Sequence, residues 1–377
     1  MAFRAVVTAF MVAVASSGAA LAESRLRVDG TVDGRPARFM MDTGLSYDLA
    51  AFPDGAGLLG LSVAAPPPAL DSANVLMTGL SSPRRVRFAP GAAEQEGVFV
   101  LLKAAPDAIG VEWDFDAVIG WPAMQANVLH YAPARGVARL EAAVPMDLSP
   151  GQMFPLIESN VAVLDAGEPG APLPVMIDTG SNGGVQLSSA LWTAWREAHP
   201  ELPVTLHGSF SPSSGTVVTL QAFAPLLRLG RLMLRNVLVS ELPESRHYGA
   251  VPPKAILGLD VFENQDLYLD GPGRKVVILP PVRSTPVNYN RLGAGFTPPG
   301  FIARVVPDGP ASRAGIQDGD VLVALDGLTP QAYGARVDAP SVWMQPSGTP
   351  INLTLRRGEQ RFERRVVLED FLGQVTP

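Results

Sequence analysis

Apolar and polar positions along this chain fall into short alternating runs, not long helical stripes. "RLRVDGTVDGRPARFMMDTG" (25–44) alternates, breaks at Asp-Gly and closes on three apolar residues before Asp42. That pattern predicts a strand, a tight turn and a second strand that is buried on both faces where it meets the aspartate. "NVAVLDAGEPGAPLPVMIDTG" (160–180) repeats the plan and ends on the motif of Asp178. Further along, "DAVIGWPAM" (116–124) is answered by "KAILGLDVF" (254–262), and "NVLHYAPARGVARL" (127–140) by "QDLYLDGPGRKVVIL" (265–279). The interval from Asp42 to Gly120 nearly equals the interval from Asp178 to Gly258. Landmarks in one order at nearly one spacing predict two copies of one β unit, over 23–146 and 147–282.

Each copy also carries a polar, glycine-containing stretch at the same interval after its aspartate: Thr78-Gly79 in the first, Ser214-Gly215 in the second. Such a stretch is either a surface hairpin tip or a flap over a cleft. A Pro-rich linker is expected over 283–290, and a third domain over 291–372. In that domain, strands flank a "DGPASRAG" turn and short helix, a "GDVLVALDG" strand follows, and a helix is expected within 329–346. "SSALWTAWREA" (188–198) predicts a helix whose Trp192 and Trp195 face the core.

Composition narrows the function classes. Hydrophobic residues are 47% of the 377 and charged residues 17%, enough apolar content for packed cores. The net charge of −7, without a basic stripe, argues against nucleic acid as a partner. There is no cysteine, which excludes thiol nucleophiles and thiolate metal sites. His130, His199, His207 and His247 show no metal-ligand spacing, so turn or surface roles are expected for each, and neither metal nor cofactor is implied. Arg4, the apolar run Ala5–Ala15 and Ala20-Leu21-Ala22 read as a signal peptide over 1–22, with cleavage near Ala22-Glu23. The expected location is therefore periplasmic or secreted, with no stable membrane span.

A single Asp-Thr-Gly is an ordinary turn with a carboxylate in it. Two copies at equivalent points of a repeat are different, because a pseudo-twofold arrangement brings the two carboxylates together. Two adjacent carboxyl groups share one proton: the ionised member can activate a water and the protonated member can donate to a carbonyl oxygen. Glycine permits close backbone approach. Threonine offers a hydroxyl to tie the two loops.

Phe39-Met40-Met41-Asp42-Thr43-Gly44 with Val118-Ile119-Gly120, and Val175-Met176-Ile177-Asp178-Thr179-Gly180-Ser181 with Ile256-Leu257-Gly258, resemble the retropepsin-like and pepsin-like aspartic proteases. The resemblance spans 23–282. It implies a mainly β fold of two homologous lobes forming one bilobal unit, with Asp42 and Asp178 catalytic and Thr43, Gly44, Thr179, Gly180, Ser181, Gly120 and Gly258 in support. It also implies flaps at Thr78, Gly79, Ser214 and Gly215 over a peptide or protein substrate. Both lobes lie in one chain, so homodimerisation is not required for the dyad. Leu45 departs from the family's Ser or Ala, which is expected to raise the pKa of Asp42 relative to Asp178.

"GPASRAGIQDGDVLVALDG" (309–327) resembles the core of PDZ domains, an α+β fold, over 291–372. Gly293, Ala294, Gly295 and Phe296 resemble that family's carboxylate-binding loop, which implies a C-terminal peptide as a further partner. Two function classes follow. One is a secreted aspartic endopeptidase with a PDZ domain for substrate or partner recognition. The other is a catalytically inactive peptide-binding or scaffold protein on the same fold.

Overall fold

The computed structural model describes residues 26–66, 77–88, 93–103, 115–145, 147–181, 183–211, 215–242, 252–262, 265–281, 289–297, 300–330, 332 and 342–372. The expected signal peptide, residues 283–288 of the linker, Ser214, His247 and most of the expected helix within 329–346 lie outside them.

The fold is mainly β, in three sheets. The first has nine strands in the order β4 (Val63–Ala65), β5 (Met77–Ser81), β8 (Phe99–Leu102), β3 (Leu49–Ala51), β9 (Ala117–Gly120), β2 (Arg35–Asp42), β1 (Arg27–Val32), β6 (Arg84–Arg87), β7 (Gln95–Gly97). The second has twelve. It begins β11 (Val137–Glu141), β10 (Val128–Ala132), β20 (Leu267–Asp270), β21 (Lys275–Ile278), β12 (Gln152–Ile157), β13 (Val163–Asp165), β14 (Pro174–Ile177). It continues β19 (Ala255–Leu257), β15 (Val185–Leu187), β18 (Leu232–Glu241), β17 (Gly215–Leu229), β16 (Val204–Ser211). The third is a meander of β22 (Ala294–Thr297), β23 (Ile302–Val305), β24 (Val321–Leu325), β25 (Pro350–Arg357) and β26 (Gln360–Val367).

Seven strands of the first sheet, β4-β5-β8-β3-β9-β2-β1, run in the same order as β16-β17-β18-β15-β19-β14-β13 of the second. The parallel pairs also match: β2–β9 and β3–β8 in one, β14–β19 and β15–β18 in the other. The apolar runs before the aspartates explain why these strands are central. Phe39 and Met41 enter the large core while Met40 packs into a second cluster with Ala50 and Val118. Val175 and Ile177 enter the same large core while Met176 packs with Val163 and Ile256. Parallel strands covered on both faces need such unbroken apolar runs.

The two halves share that core and are also joined by strand pairing, because β10 of the first half pairs with β20 of the second. His130 sits in this joint, opposite Tyr268, and stacks on its ring at 4.1 Å. It is buried and its Nδ1 lies 2.7 Å from Glu141. His207 is likewise buried, on β16. The expected turn or surface roles therefore fail for both histidines. Each lies on a strand, and at His130 a carboxylate partner and a stacked ring replace the contacts that water would supply. Trp192 is buried in the helix Ser189–Ala198, and Trp195 stacks against it, as their spacing predicts.

Candidate active site

Asp42 ends β2, and Asp178 directly follows β14. Each is held at the mouth of a parallel strand pair. Asp42 is in register with Gly120. The Asp178 N–H donates to Leu257 O at 2.9 Å, one residue before Gly258. The loops that follow are built alike. Leu45 N–H donates to Asp42 O and Ser181 N–H to Asp178 O. Leu45 O accepts from Trp121 N–H and Ser181 O from Leu259 N–H.

Gly120 and Gly258 are required by these loops. A Cβ on Gly120 would stand 1.8 Å from Tyr47 O, and one on Gly258 would stand 2.1 Å from Gly183 O. Tyr47 and Gly183 occupy equivalent places in the two copies, each the same short step beyond its aspartate. Neither oxygen belongs to a flexible side chain that could move aside.

Crossed threonine bonds tie the loops together. Thr43 Oγ1 donates to Ile177 O at 2.6 Å and accepts from Thr179 N–H at 3.1 Å. Thr179 Oγ1 donates to Met41 O at 2.7 Å and accepts from Thr43 N–H at 3.0 Å. Both threonines are buried. The glycines then set the carboxylates face to face. A Cβ on Gly44 would fall 2.6 Å from Asp178 Oδ1, and one on Gly180 would fall 2.5 Å from Asp42 Oδ2. Each carboxylate also accepts the N–H of its own glycine, at 2.8 Å for Asp42 and 3.0 Å for Asp178.

The two carboxyl groups lie within hydrogen-bonding reach of each other. Burial, and then the charge of Asp178, push the Asp42 carboxyl well above the usual carboxylate range, against the N–H donors of Gly44 and Leu45. The Leu45 side chain turns into the apolar cluster of Met40, Ala50 and Val118. Ser181 Oγ accepts from Gly183 N–H at 3.3 Å.

The glycine stretches differ between the halves. Gly215 opens β17 and pairs with Ser211. Gly79 does not lie at a tip. It is buried within β5, and a Cβ there would meet Ala65 O at 2.6 Å. Its neighbour Thr78 donates from Oγ1 to Leu101 O. β4 ends at Ala65 and β5 begins at Met77, so Gly79 falls inside the strand.

The third sheet has its own core, from Leu292 to Leu368. Asp320, buried before β24, takes a two-pronged bond from Arg357 at 2.7 and 2.8 Å. Burial alone would raise its pKa, but the bonds from Arg357 and the Gln317 N–H lower it. Residues 301–357 match the family model of the PDZ domain. This part of the chain is a PDZ domain. No curated protein matches the chain.

Ahead of the matched residues, the expected carboxylate loop leads into β22, the edge strand of the third sheet. Gly293 has φ +68°, which favours glycine. Its N–H and that of Leu292 already donate to Asn290 Oδ1, at 3.2 and 3.0 Å. Asn290 Nδ2 donates to Ala294 O at 2.9 Å. Ala294 and Phe296 point into the core, and Gly295 faces outward. Asn290 and Tyr289, assigned to the linker from composition, are buried parts of this structure. The signal for Asn290 was present as Asn-x-x-Gly, the spacing of an Asx-type turn.

Among the described residues no group of His, Asp and Glu could hold a metal ion, and no helix is long and apolar enough to cross a membrane.

Proposed function

We propose that the protein is an aspartic endopeptidase in which Asp42 and Asp178 act on a peptide bond through one water molecule. The observation that carries this reading is the placement of each carboxylate against the other motif's glycine, with the loops locked by crossed threonine bonds. The matching strand orders of the two halves support a bilobal protease-like arrangement.

In this reading Asp42, with its raised affinity for a proton, is the acid, and Asp178 is the base. Asp178 takes a proton from water as the water oxygen attacks the carbonyl carbon. Asp42 donates to the carbonyl oxygen. The tetrahedral species collapses as the proton on Asp178 passes to the leaving nitrogen, the C–N bond breaks and Asp42 regains its proton. The PDZ domain recognises a peptide or protein, either substrate or partner. Export under a signal peptide belongs to the same proposal.

Leu45 does not argue for an inactive scaffold. Its backbone makes the same loop bonds as Ser181, and its side chain belongs to the apolar cluster. The test is cleavage of a peptide library between acidic and neutral pH, with and without pepstatin. Wild type should cleave, and Asp42→Asn or Asp178→Asn should lower kcat by roughly a hundredfold or more. Absence of cleavage by folded wild-type protein across that range would leave the scaffold class standing instead.

A further inference from the structure

Two sheet edges meet beside the PDZ domain. β16 ends the twelve-stranded sheet and β22 begins the five-stranded one. An uncovered edge or face on either would be a liability, and here each covers the other. The outward face of Gly295 rests on Leu206 and Val218: a Cβ there would stand 3.6 Å from Leu206 Cδ1 and 3.9 Å from Val218 Cγ1. Arg304, opposite Gly295 across the β22–β23 ladder, donates to Val218 O at 3.1 Å. Thr205 Oγ1 donates to Asn290 O at 2.7 Å, with both residues buried. Below them, Phe223 and Leu238 pack with Tyr289, Leu372 and Phe371. These contacts run up the β16–β17 hairpin to Val218, close to Gly215.

The same hairpin abuts the loop after Asp178. His207 Nε2 lies 3.8 Å from where a Cβ on Gly183 would sit, and Ser181 Oγ lies 3.4 Å from that point. Thr205 and His207 alternate along one strand, so they share a face. One side of the hairpin is thus fixed to the PDZ domain at Asn290 while the strand it fixes touches the aspartate loop.

We propose that the PDZ domain is an intramolecular clamp that holds the β16–β17 hairpin against the Asp178 loop, with Thr205, Asn290 and Arg304 as positioning residues. Asn290 is the shared fastening. Its side chain shapes the turn into β22 and its carbonyl holds the hairpin, so displacement of one moves the other. In this arrangement the PDZ domain is part of the cleft's support as well as a recognition module. The clamp itself stands on packing alone; its consequence for turnover rests on the endopeptidase reading above.

The test is hydrogen–deuterium exchange on the full chain, followed in peptides covering 204–222, for wild type, Thr205→Val, Arg304→Ala and Gly295→Leu. Loss of a buried hydroxyl–carbonyl bond in Thr205→Val should speed exchange of the hairpin roughly tenfold. Exchange in β1, β2 and β24–β26 should stay at the wild-type rate. Arg304→Ala removes only a surface contact and keeps the test valid if Thr205→Val folds poorly. It should speed hairpin exchange by a smaller factor of about three. Hairpin exchange within about twofold of wild type in all three variants would overturn the proposal. So would acceleration spread evenly over the chain, because a clamp acts locally. These readouts need no catalysis, so they stand whether or not the chain cleaves peptides. Where it does cleave, the variants should lose kcat more than they raise KM.

Discussion

At the scale of single residues, Asp42 is held where ionisation is costly, and stability should report it. Its folded-state pKa is raised by burial and by the Asp178 charge, above the unfolded value of about 3.9. The folded chain therefore holds more protons than the unfolded chain as pH rises past that value, and stability falls across this window. Asparagine cannot ionise. Asp42→Asn should thus be more stable than wild type in urea at pH 7, with the difference vanishing near pH 3. A difference that is constant with pH would contradict the raised pKa. Leu45 gives a second check. In Leu45→Ser a new hydroxyl donor should favour the Asp42 carboxylate and move the basic limb of the kcat/KM profile to lower pH. An unmoved limb would show that Leu45 does not tune the pair. Both aspartates and both threonines were legible from the repeated motif. The crossed bonding of Thr43 and Thr179 was legible only as a type of contact, because its partners Met41 O and Ile177 O belong to the opposite motif.

At the scale of elements, the parallel strand pairs impose the glycines. Gly120→Ala would drive a methyl group into Tyr47 O and should cost about 3 kcal/mol or more. Gly57 makes the contrast. It is exposed in the helix Pro53–Leu58, with nothing within 4 Å of its Cβ position. Gly57→Ala should be neutral or stabilise by up to about 1 kcal/mol. Thermal or urea unfolding of the two variants measures the difference. The later hydrophobic-hydrophobic-Gly was readable in sequence, but its reason was not, because six strands, β3 to β8, lie between Tyr47 and Gly120 along the chain. Gly79 shows the opposite case. Equal spacing from the aspartate offered it as a hairpin tip or a flap, and packing placed it inside β5.

At the scale of the whole molecule, the joint between the halves is partly ionic. Burial would raise the pKa of Glu141, but hydrogen bonds from His130 and Arg139 outweigh it and lower the pKa. Arg135 adds a bond to Asp266 across the same joint. A lowered carboxylate pKa gives stability that is present above the unfolded value, about 4.3, and lost as pH falls through the folded value. Glu141→Gln should therefore be less stable than wild type at pH 6–7, and the two unfolding curves should converge in strong acid. A gap that persists there would assign the loss to packing. The sequence carried little sign of this joint: His130 stood in a hairpin pattern, and its stacking on Tyr268 depends on pairing between strands from opposite halves of the repeat.

The sequence by itself determined the local pieces: short strands, Gly-containing turns, two aspartates at the ends of apolar runs, and a PDZ core with its own hydrophobic pattern. These follow from alternation, turn chemistry and internal repetition, all of which act over a few residues or copy one plan along the chain. Only the tertiary structure decided how the pieces face one another. It set the carboxylates against opposite glycines, paired β10 with β20, and laid the β16–β17 hairpin on Gly295 and Asn290 beside the third sheet. The physical reason is that a side chain's periodicity fixes which face it turns to, while the partner on that face is chosen by packing among distant segments.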